Sequence, residues 1–256
     1  MGSCLVTGAG GFVGRALVQH LLAAGETVVA VARRPGAEAT GLRWHAQDFA
    51  VDPGLPTELL AGVERVFLLA ALAHRPAPRD AVAVAALRRV NVEHPAAVAR
   101  QAALAGVRRL VFLSSIGAQT GSSAAVVTPE TPCQPVNAYG ASKRAAELAL
   151  ATVAAETGLE VATLRPPLVV GPVAPGNLAR LVARARAGRP LPAGSLRNRR
   201  SLVGLTGLVE ALVLVSHHSA AAGATFLVAE TPPLSTGALY RDLGDAAGQR
   251  VQFLPL

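Results

Sequence analysis

An α/β fold with a doubly wound parallel sheet is what this 256-residue sequence predicts, and three observations carry the prediction. Short β-branched runs alternate with longer helical patterns from the first residue onward. The runs are apolar almost without interruption, as in Val66-Phe67-Leu68-Leu69 and Leu110-Val111-Phe112-Leu113, which suits strands covered by helices on both faces. The composition, 51% apolar and 16% charged, supplies a core and excludes a disordered chain, and the length suits one large domain with a small appendage.

In chain order, strands are expected at Cys4 to Thr7, Thr27 to Ala32, Arg65 to Ala70, Arg109 to Ser114 and Glu160 to Arg165. Phe12 to Ala24, about Arg79 to Ala105, and Ala138 to Glu156 are long enough to be crossover helices. The order βαβαβ specifies the doubly wound sheet. Trp44, the only tryptophan, is read as packing on the third strand. After Arg165-Pro166-Pro167 glycine and proline become frequent, arginines cluster from Arg180 to Arg200, and the elements shorten. Residues 1–166 therefore form the expected first domain, and residues 167–256 a smaller lobe that closes over whatever the first domain binds.

The 24 basic residues against 16 acidic ones favour an anionic partner. Aromatics are only 4%, and no zinc-finger or RNP-type pattern occurs, so nucleic acid is not the expected partner. Cys4 and Cys133 make neither a disulfide framework nor a metal site, and two free thiols suit a reducing cytoplasm. Adjacent His217 and His218 diverge by about 100° on a helix, the wrong spacing for one metal. The N-terminus lacks the basic flank and apolar stretch of a signal peptide, and no run is long enough to span a membrane, so a soluble cytoplasmic protein is expected.

Gly8-Ala9-Gly10-Gly11-Phe12-Val13-Gly14 follows the first strand and opens the first helix, the context of a dinucleotide fingerprint and hence of a Rossmann-like sheet. Glycines let the backbone approach a pyrophosphate, and the free N–H groups at the helix start receive its charge. The second strand ends Val31-Ala32-Arg33-Arg34. An acid there would bond the ribose 2′-hydroxyl of NAD, whereas Arg33 and Arg34 can receive the 2′-phosphate of NADP, so NADP(H) is the expected cofactor with NAD(H) second.

Of the 24 basic residues only Lys143 is a lysine, and it lies one helical turn from Tyr139, one of two tyrosines. An ammonium there is expected to depress the phenol pKa, and its point charge can bond a ribose. Ser114-Ser115 closes a strand at the sheet edge where such folds bind ligands. His74, after Ala71-Leu72-Ala73, is a candidate substrate contact near the expected cleft mouth.

These residues resemble the extended short-chain dehydrogenases/reductases that act on nucleotide sugars, the NAD-dependent epimerase/dehydratase family, over essentially the whole chain. Thr7 to Gly14 matches the TGxxGxxG loop, Tyr139 to Lys143 matches YxxxK, and Ser115, 24 residues earlier, matches the catalytic Ser/Thr. The resemblance implies that Asp48-Phe49 contacts adenine, that Leu69-Ala70-Ala71 underlies the nicotinamide ribose, and that Asn91 is a structural asparagine. Arg165 to Pro172 matches RPxxVYGP, which puts Pro166 at the cofactor and leads into the substrate lobe. Within the family the likeness is closest to bacterial UDP-sugar 4-ketoreductases and 4-epimerases, and it implies that Asn177 and Arg200 hold the sugar nucleotide. The helices around Val84 to Ala105 and Tyr139 to Ala155 resemble those of a four-helix dimer interface, implying a homodimer.

Val170 replaces the usual tyrosine of VYGP, His94-Pro95 replaces the usual Gly-Thr, and Leu256 falls several tens of residues before family members normally end, so a truncated lobe is expected. Three functions follow as alternatives: an NADPH-dependent reductase of a UDP-linked 4-keto sugar, an NAD-dependent UDP-sugar 4-epimerase, and a non-catalytic NADP-binding regulatory protein. No metal is expected to take part.

Overall fold

The computed structural model describes residues 2–73, 80–123, 125–192 and 198–254. The first half contains β1 (Ser3–Thr7), α1 (Phe12–Ala23), β2 (Thr27–Ala32), β3 (Leu42–Ala46), β4 (Arg65–Leu68), α2 (Ala81–Arg88), α3 (His94–Leu104) and β5 (Arg109–Leu113). Then come α4 (Ala138–Thr157), β6 (Glu160–Arg165), β7 (Leu168–Val170), α5 (Asn177–Arg186), β8 (Leu191–Pro192) and β9 (Arg200–Gly204). The last elements are α6 (Leu205–His217), β10 (Thr225–Leu227), β11 (Glu230–Leu234), α7 (Thr236–Ala246) and β12 (Phe253–Leu254). Among the described residues no helix is long and apolar enough to cross a membrane.

Contacts divide the chain into two units, Met1–Pro166 with Thr206–Val228, and Pro167–Leu205 with Ala229–Leu256. The first is built on a seven-stranded sheet in the order β10-β6-β5-β4-β1-β2-β3, all pairs parallel. The chain runs outward from β1 to β3, returns to β4 and runs outward again, so the order reverses between β1 and β4. A crevice opens at such a reversal beyond the carboxyl ends of the strands. Leu5, Val66, Leu110 and Phe112 of the sheet pack with Val98 of α3 and Leu150 of α4 in the core.

The helices start and stop for local reasons. Asn137 caps α4 by accepting the Gly140 N–H at 2.8 Å, and Gly158, left-handed at φ +75°, ends it. The stretch read as one helix from Arg79 to Ala105 is interrupted by a π-helical turn at Arg89–Glu93. Pro95 has no N–H to give, and its ring crowds the Asn91 carbonyl four residues back, so the ladder widens there. That turn directs Asn91 inward, where it is fully buried.

Three features differ from the sequence expectation. β3, Leu-Arg-Trp-His-Ala, is an edge strand whose mixed polarity reflects its partial exposure, and the apolar-run criterion passes over it. β4 stops at Leu68 rather than Ala70, because the Ala70 N–H turns to the Thr7 hydroxyl at 3.3 Å. Residues Thr206–Val228 leave the second lobe and rejoin the first unit. There β10 adds the seventh strand beside β6, and Arg109 Nη1 donates to the carbonyls of Val215 and His218 at 2.6 and 3.0 Å. A three-residue strand carries too little pattern to reveal that return.

The second unit has a β11-β9-β7 sheet and a short β12-β8 pair. The Tyr240 hydroxyl donates to the Arg189 carbonyl, and its buried ring meets Phe253 edge-on at 6.0 Å. With nine arginines and three acids this unit carries +6 of the chain's +8 charge.

Candidate active site

The glycine loop is shaped by close approach. A Cβ on Gly8, at φ +71°, would lie 2.7 Å from the Ala70 nitrogen, and one on Gly14 would lie 2.2 Å from the Gly8 carbonyl oxygen. The loop therefore packs directly on the β4 exit, Leu69-Ala70-Ala71, and α1 packs directly on the loop. Gly11 caps α1 with no side chain, so the N–H groups of Phe12, Val13 and Gly14 open on an uncapped helix start. A pyrophosphate fits this cradle, since glycines leave the space empty and the helix start supplies donors and partial positive charge.

At the end of β2, a Cβ on Gly10 would touch that of Ala32 at 3.3 Å, which brings the strand end against the loop. Arg33 and Arg34 beyond it are exposed and belong to none of the ion pairs among the described residues. Asp48 Oδ1 accepts the Ala50 N–H at 3.0 Å, closing a turn. Phe49 is buried and stacks on His94, ring centres 3.5 Å apart.

His94, flagged in the sequence only as a departure, is at the centre of a buried relay. Its Nδ1–H donates to the Pro53 carbonyl at 2.8 Å, and Nε2 faces the Thr7 hydroxyl at 3.4 Å, which itself accepts the Ala70 N–H. Burial pushes the ring's pKa down to about 4 against the Pro53 bond, with Lys143 adding to the fall. His94 is thus neutral near pH 7, with Nε2 the acceptor that ties α3 to the start of the glycine loop.

The second cluster forms where β5 meets α4. Ser115 follows β5, and its Oγ accepts the Gly117 N–H at 3.1 Å, leaving its own hydrogen to donate elsewhere. Gly140, in the first turn of α4, packs so tightly that a Cβ would lie 2.1 Å from the Gly117 carbonyl oxygen. Tyr139 beside it is half-buried, and burial pushes its phenol up to about 12. Lys143 is buried; its Nζ donates to the Leu113 carbonyl at 2.7 Å and lies 4.5 Å over the Phe112 ring. Burial lowers the lysine to about 7 against the attraction of Glu147. The phenol is raised by its burial, and Lys143, expected to depress it, is turned to the Leu113 carbonyl.

Around this pair the remaining residues act as struts. Asn91 accepts the Leu72 N–H at 2.8 Å and donates to Ser142 Oγ at 2.9 Å, joining the β4 exit to α4. The carbonyl of Pro166, which is buried, accepts the Ile116 N–H at 2.9 Å and so holds the Ser115 turn. Glu147 and His94 were missed as site residues. Glu147 had a readable signal, since four-residue spacing continues the Tyr139–Lys143 face by one more turn.

In the second unit a groove of about 680 Å³ is lined by Asn177, Arg180, Leu181, Arg184, Arg189 and Leu191, among others. The first four share one face of α5, and Arg184 Nε donates to the Pro190 carbonyl at 2.7 Å. Asn177 lines this groove and Arg200, exposed at the start of β9, does not; Arg180, Arg184 and Arg189 were not singled out from the sequence. His74 lies outside the described residues.

Comparisons with known proteins agree with this geometry. The profile of the NAD dependent epimerase/dehydratase family matches residues 4–229. A UDP-glucose 4-epimerase of Vibrio cholerae is 34% identical over 261 aligned positions, covering 99% of this chain and 78% of that one. A dihydroflavonol 4-reductase of Zea mays is 32% identical, covering 87% of this chain and 68% of its own. The solved structure of MoeE5 with UDP-glucuronic acid and NAD superposes with a TM-score of 0.86 at 28% identity, over 100% of this chain and 85% of that one. Cradle, catalytic-type cluster and ancestry coincide, and the chain belongs to the NAD-dependent epimerase/dehydratase family of extended short-chain dehydrogenase/reductase enzymes.

Proposed function

We propose that the protein reduces the C4 carbonyl of a UDP-linked 4-keto sugar with NADPH, Tyr139 delivering the proton to the substrate oxygen. The observation that carries this reading is the docking of α4 on the Ser115 turn through Gly140, which joins a serine, a tyrosine and the only lysine in one cluster. The cofactor, when bound, supplies the hydride. Ser115 donates its free hydroxyl hydrogen to the carbonyl oxygen and polarises it. Burial keeps the Tyr139 phenol protonated near pH 7, so it is a general acid at rest, and its proton moves as negative charge grows on that oxygen. Lys143 has three N–H donors and gives one to Leu113, which leaves two for ribose hydroxyls and for the phenolate that forms.

Arg33 and Arg34, with no acid at the end of β2, support NADPH over NADH, and Asp48, Leu69, Ala70 and Ala71 complete the proposed cofactor contacts. Asn177 and the arginines of the α5 groove, with Arg200, are suited to the diphosphate and nucleoside of the sugar nucleotide, the ligand class named for MoeE5. A second reading, NAD-dependent 4-epimerisation, is favoured by the Vibrio cholerae relative and by the NAD in MoeE5. Both reactions use the same acid. The exposed Leu104 on α3 and Leu148 on α4 support a homodimer as the working form. Replacing Tyr139 by Phe tests the reading: turnover should fall by about 10²-fold or more with cofactor affinity unchanged. Undiminished turnover would remove the tyrosine from the chemistry.

A further inference from the structure

We propose that Glu147 is a positioning residue of the hydride-transfer site: a buried carboxylate, clamped by Arg165, Ser114 and Arg144, that locks the end of β5 to α4 and sets a fixed negative charge one helical turn from the only lysine. The proposal rests on the reading of Tyr139 and Lys143 given above.

The clamp is complete on the carboxylate side. Oε1 accepts from Ser114 Oγ at 2.6 Å and Arg165 Nε at 2.8 Å, and Oε2 accepts from Arg165 Nη2 at 2.6 Å and Arg144 Nη1 at 3.1 Å. Four donors fill the four acceptor positions of a carboxylate. The Glu147 and Arg165 side chains are 5% and 4% exposed, so the pair is removed from water and from screening salt. Burial works against the charge, but the bonds from Arg165, Ser114 and Arg144 outweigh it and hold Glu147 below its ordinary pKa.

Two consequences reach the site through geometry. Leu113 and Ser114 are consecutive at the end of β5, and α4 holds both, Lys143 on the Leu113 carbonyl and Glu147 on the Ser114 hydroxyl one turn later. Ser115 is the next residue, so its distance from Tyr139 is set from two points on one rigid helix. Glu147 also stands on the same face as Lys143, and its fixed charge opposes the desolvation that would neutralise the lysine.

The charged and titratable groups around Lys143 are Tyr139, Arg144 and Glu147 on α4, His94 on α3, and Arg165 on β6 acting on Glu147. His94 is neutral throughout the range in which the lysine titrates. Tyr139 stays protonated there as well, which leaves Glu147 as the anion that works against the lysine's desolvation.

A single lysine makes the test direct: protein grown with 13Cε-lysine gives one lysine resonance, whose shift with pH reports Lys143 alone. Glu147→Gln should lower that titration midpoint by about one pH unit, the size expected when a nearby buried charge is removed. The alkaline limb of turnover should move down in pH by the same interval. Because that variant leaves Arg165 buried without its partner, E147Q with Arg165→Met is the companion in case the single variant does not fold. The lysine should again titrate lower than in the parent protein. A lower melting temperature with an unmoved lysine, in whichever variant folds, would reduce Glu147 to a structural strut and overturn the proposal. The titration needs neither substrate nor cofactor, so its outcome is separate from that of the reductase reading.

Discussion

Replacing Gly140 by Ala sets two effects against each other. Within a helix Ala is favoured over Gly by up to about 1 kcal/mol, the full value applying to the interior and not to the first turn, so propensity alone predicts a protein at least as stable. The added Cβ would stand 2.1 Å from the Gly117 carbonyl oxygen and 2.9 Å from its carbon, both backbone atoms that cannot swing aside. Relief requires α4 and the Ser115 turn to separate by about 1 Å, and overpacking of this kind typically costs about 1–3 kcal/mol. Stability should therefore be unchanged or fall by up to about 2 kcal/mol. The larger effect is on chemistry, because the displaced gap is the one between Tyr139 and Ser115. A misplacement of about 1 Å is expected to cost about 10²-fold in kcat. The assay is steady-state turnover beside cofactor titration and thermal unfolding, with the cofactor Kd expected to hold because the glycine loop is untouched. A G140A protein more stable than the parent and fully active would refute the claim that this contact positions the acid.

Other outcomes follow from the same reasoning. Arg33→Ser should weaken NADPH binding about 10- to 100-fold at fixed salt while leaving NADH unchanged, since a charge-assisted bond of about 1.5–3 kcal/mol is removed; equal losses for both cofactors would place Arg33 away from the 2′-phosphate. His94 is neutral when folded, its pKa about 4 against an ordinary 6.5. Its contribution is present above pH 6.5 and is lost as pH falls through 4, because the unfolded chain takes up a proton that the folded one refuses. That interval is worth about 3 kcal/mol of stability in the parent protein, and His94→Gln should flatten the acid limb of an unfolding series. An acid limb as steep as the parent's would assign the acid sensitivity to other groups.

What could be read from the sequence was what is local. The glycine loop and the Tyr139–Lys143 pair are spacings within one strand-turn-helix or one helical turn, so the chain displays them directly. β2 and β6, Thr27 to Ala32 and Glu160 to Arg165, could be read because their buried centres, Val28 to Ala32 and Val161 to Leu164, are mostly apolar and rich in β-branched residues. β3 had no apolar run to mark its limits, because an edge strand is partly exposed, and only Trp44 pointed to a third strand there. The π-helical turn depends on how Pro95 sits against the Asn91 carbonyl. Glu147 and His94 escaped because their meaning lies in distant partners, Arg165 and Ser114 for one, Thr7 and Pro53 for the other. The arginines of α5 shared a readable helical face, but in an arginine-rich stretch nothing separated a groove lining from a solvated surface.

The most direct test of hydride transfer to a 4-keto sugar is to mix the purified protein with NADPH and a UDP-linked 4-keto-6-deoxy-N-acetylhexosamine and follow the nicotinamide absorbance together with the sugar product. Reduction at C4 predicts loss of the absorbance and formation of one 4-hydroxy sugar, mole for mole with NADPH consumed. Interconversion of a pair of 4-hydroxy UDP-sugars with no added cofactor, and no oxidation of NADPH by the keto sugar, would contradict the account and establish epimerisation instead.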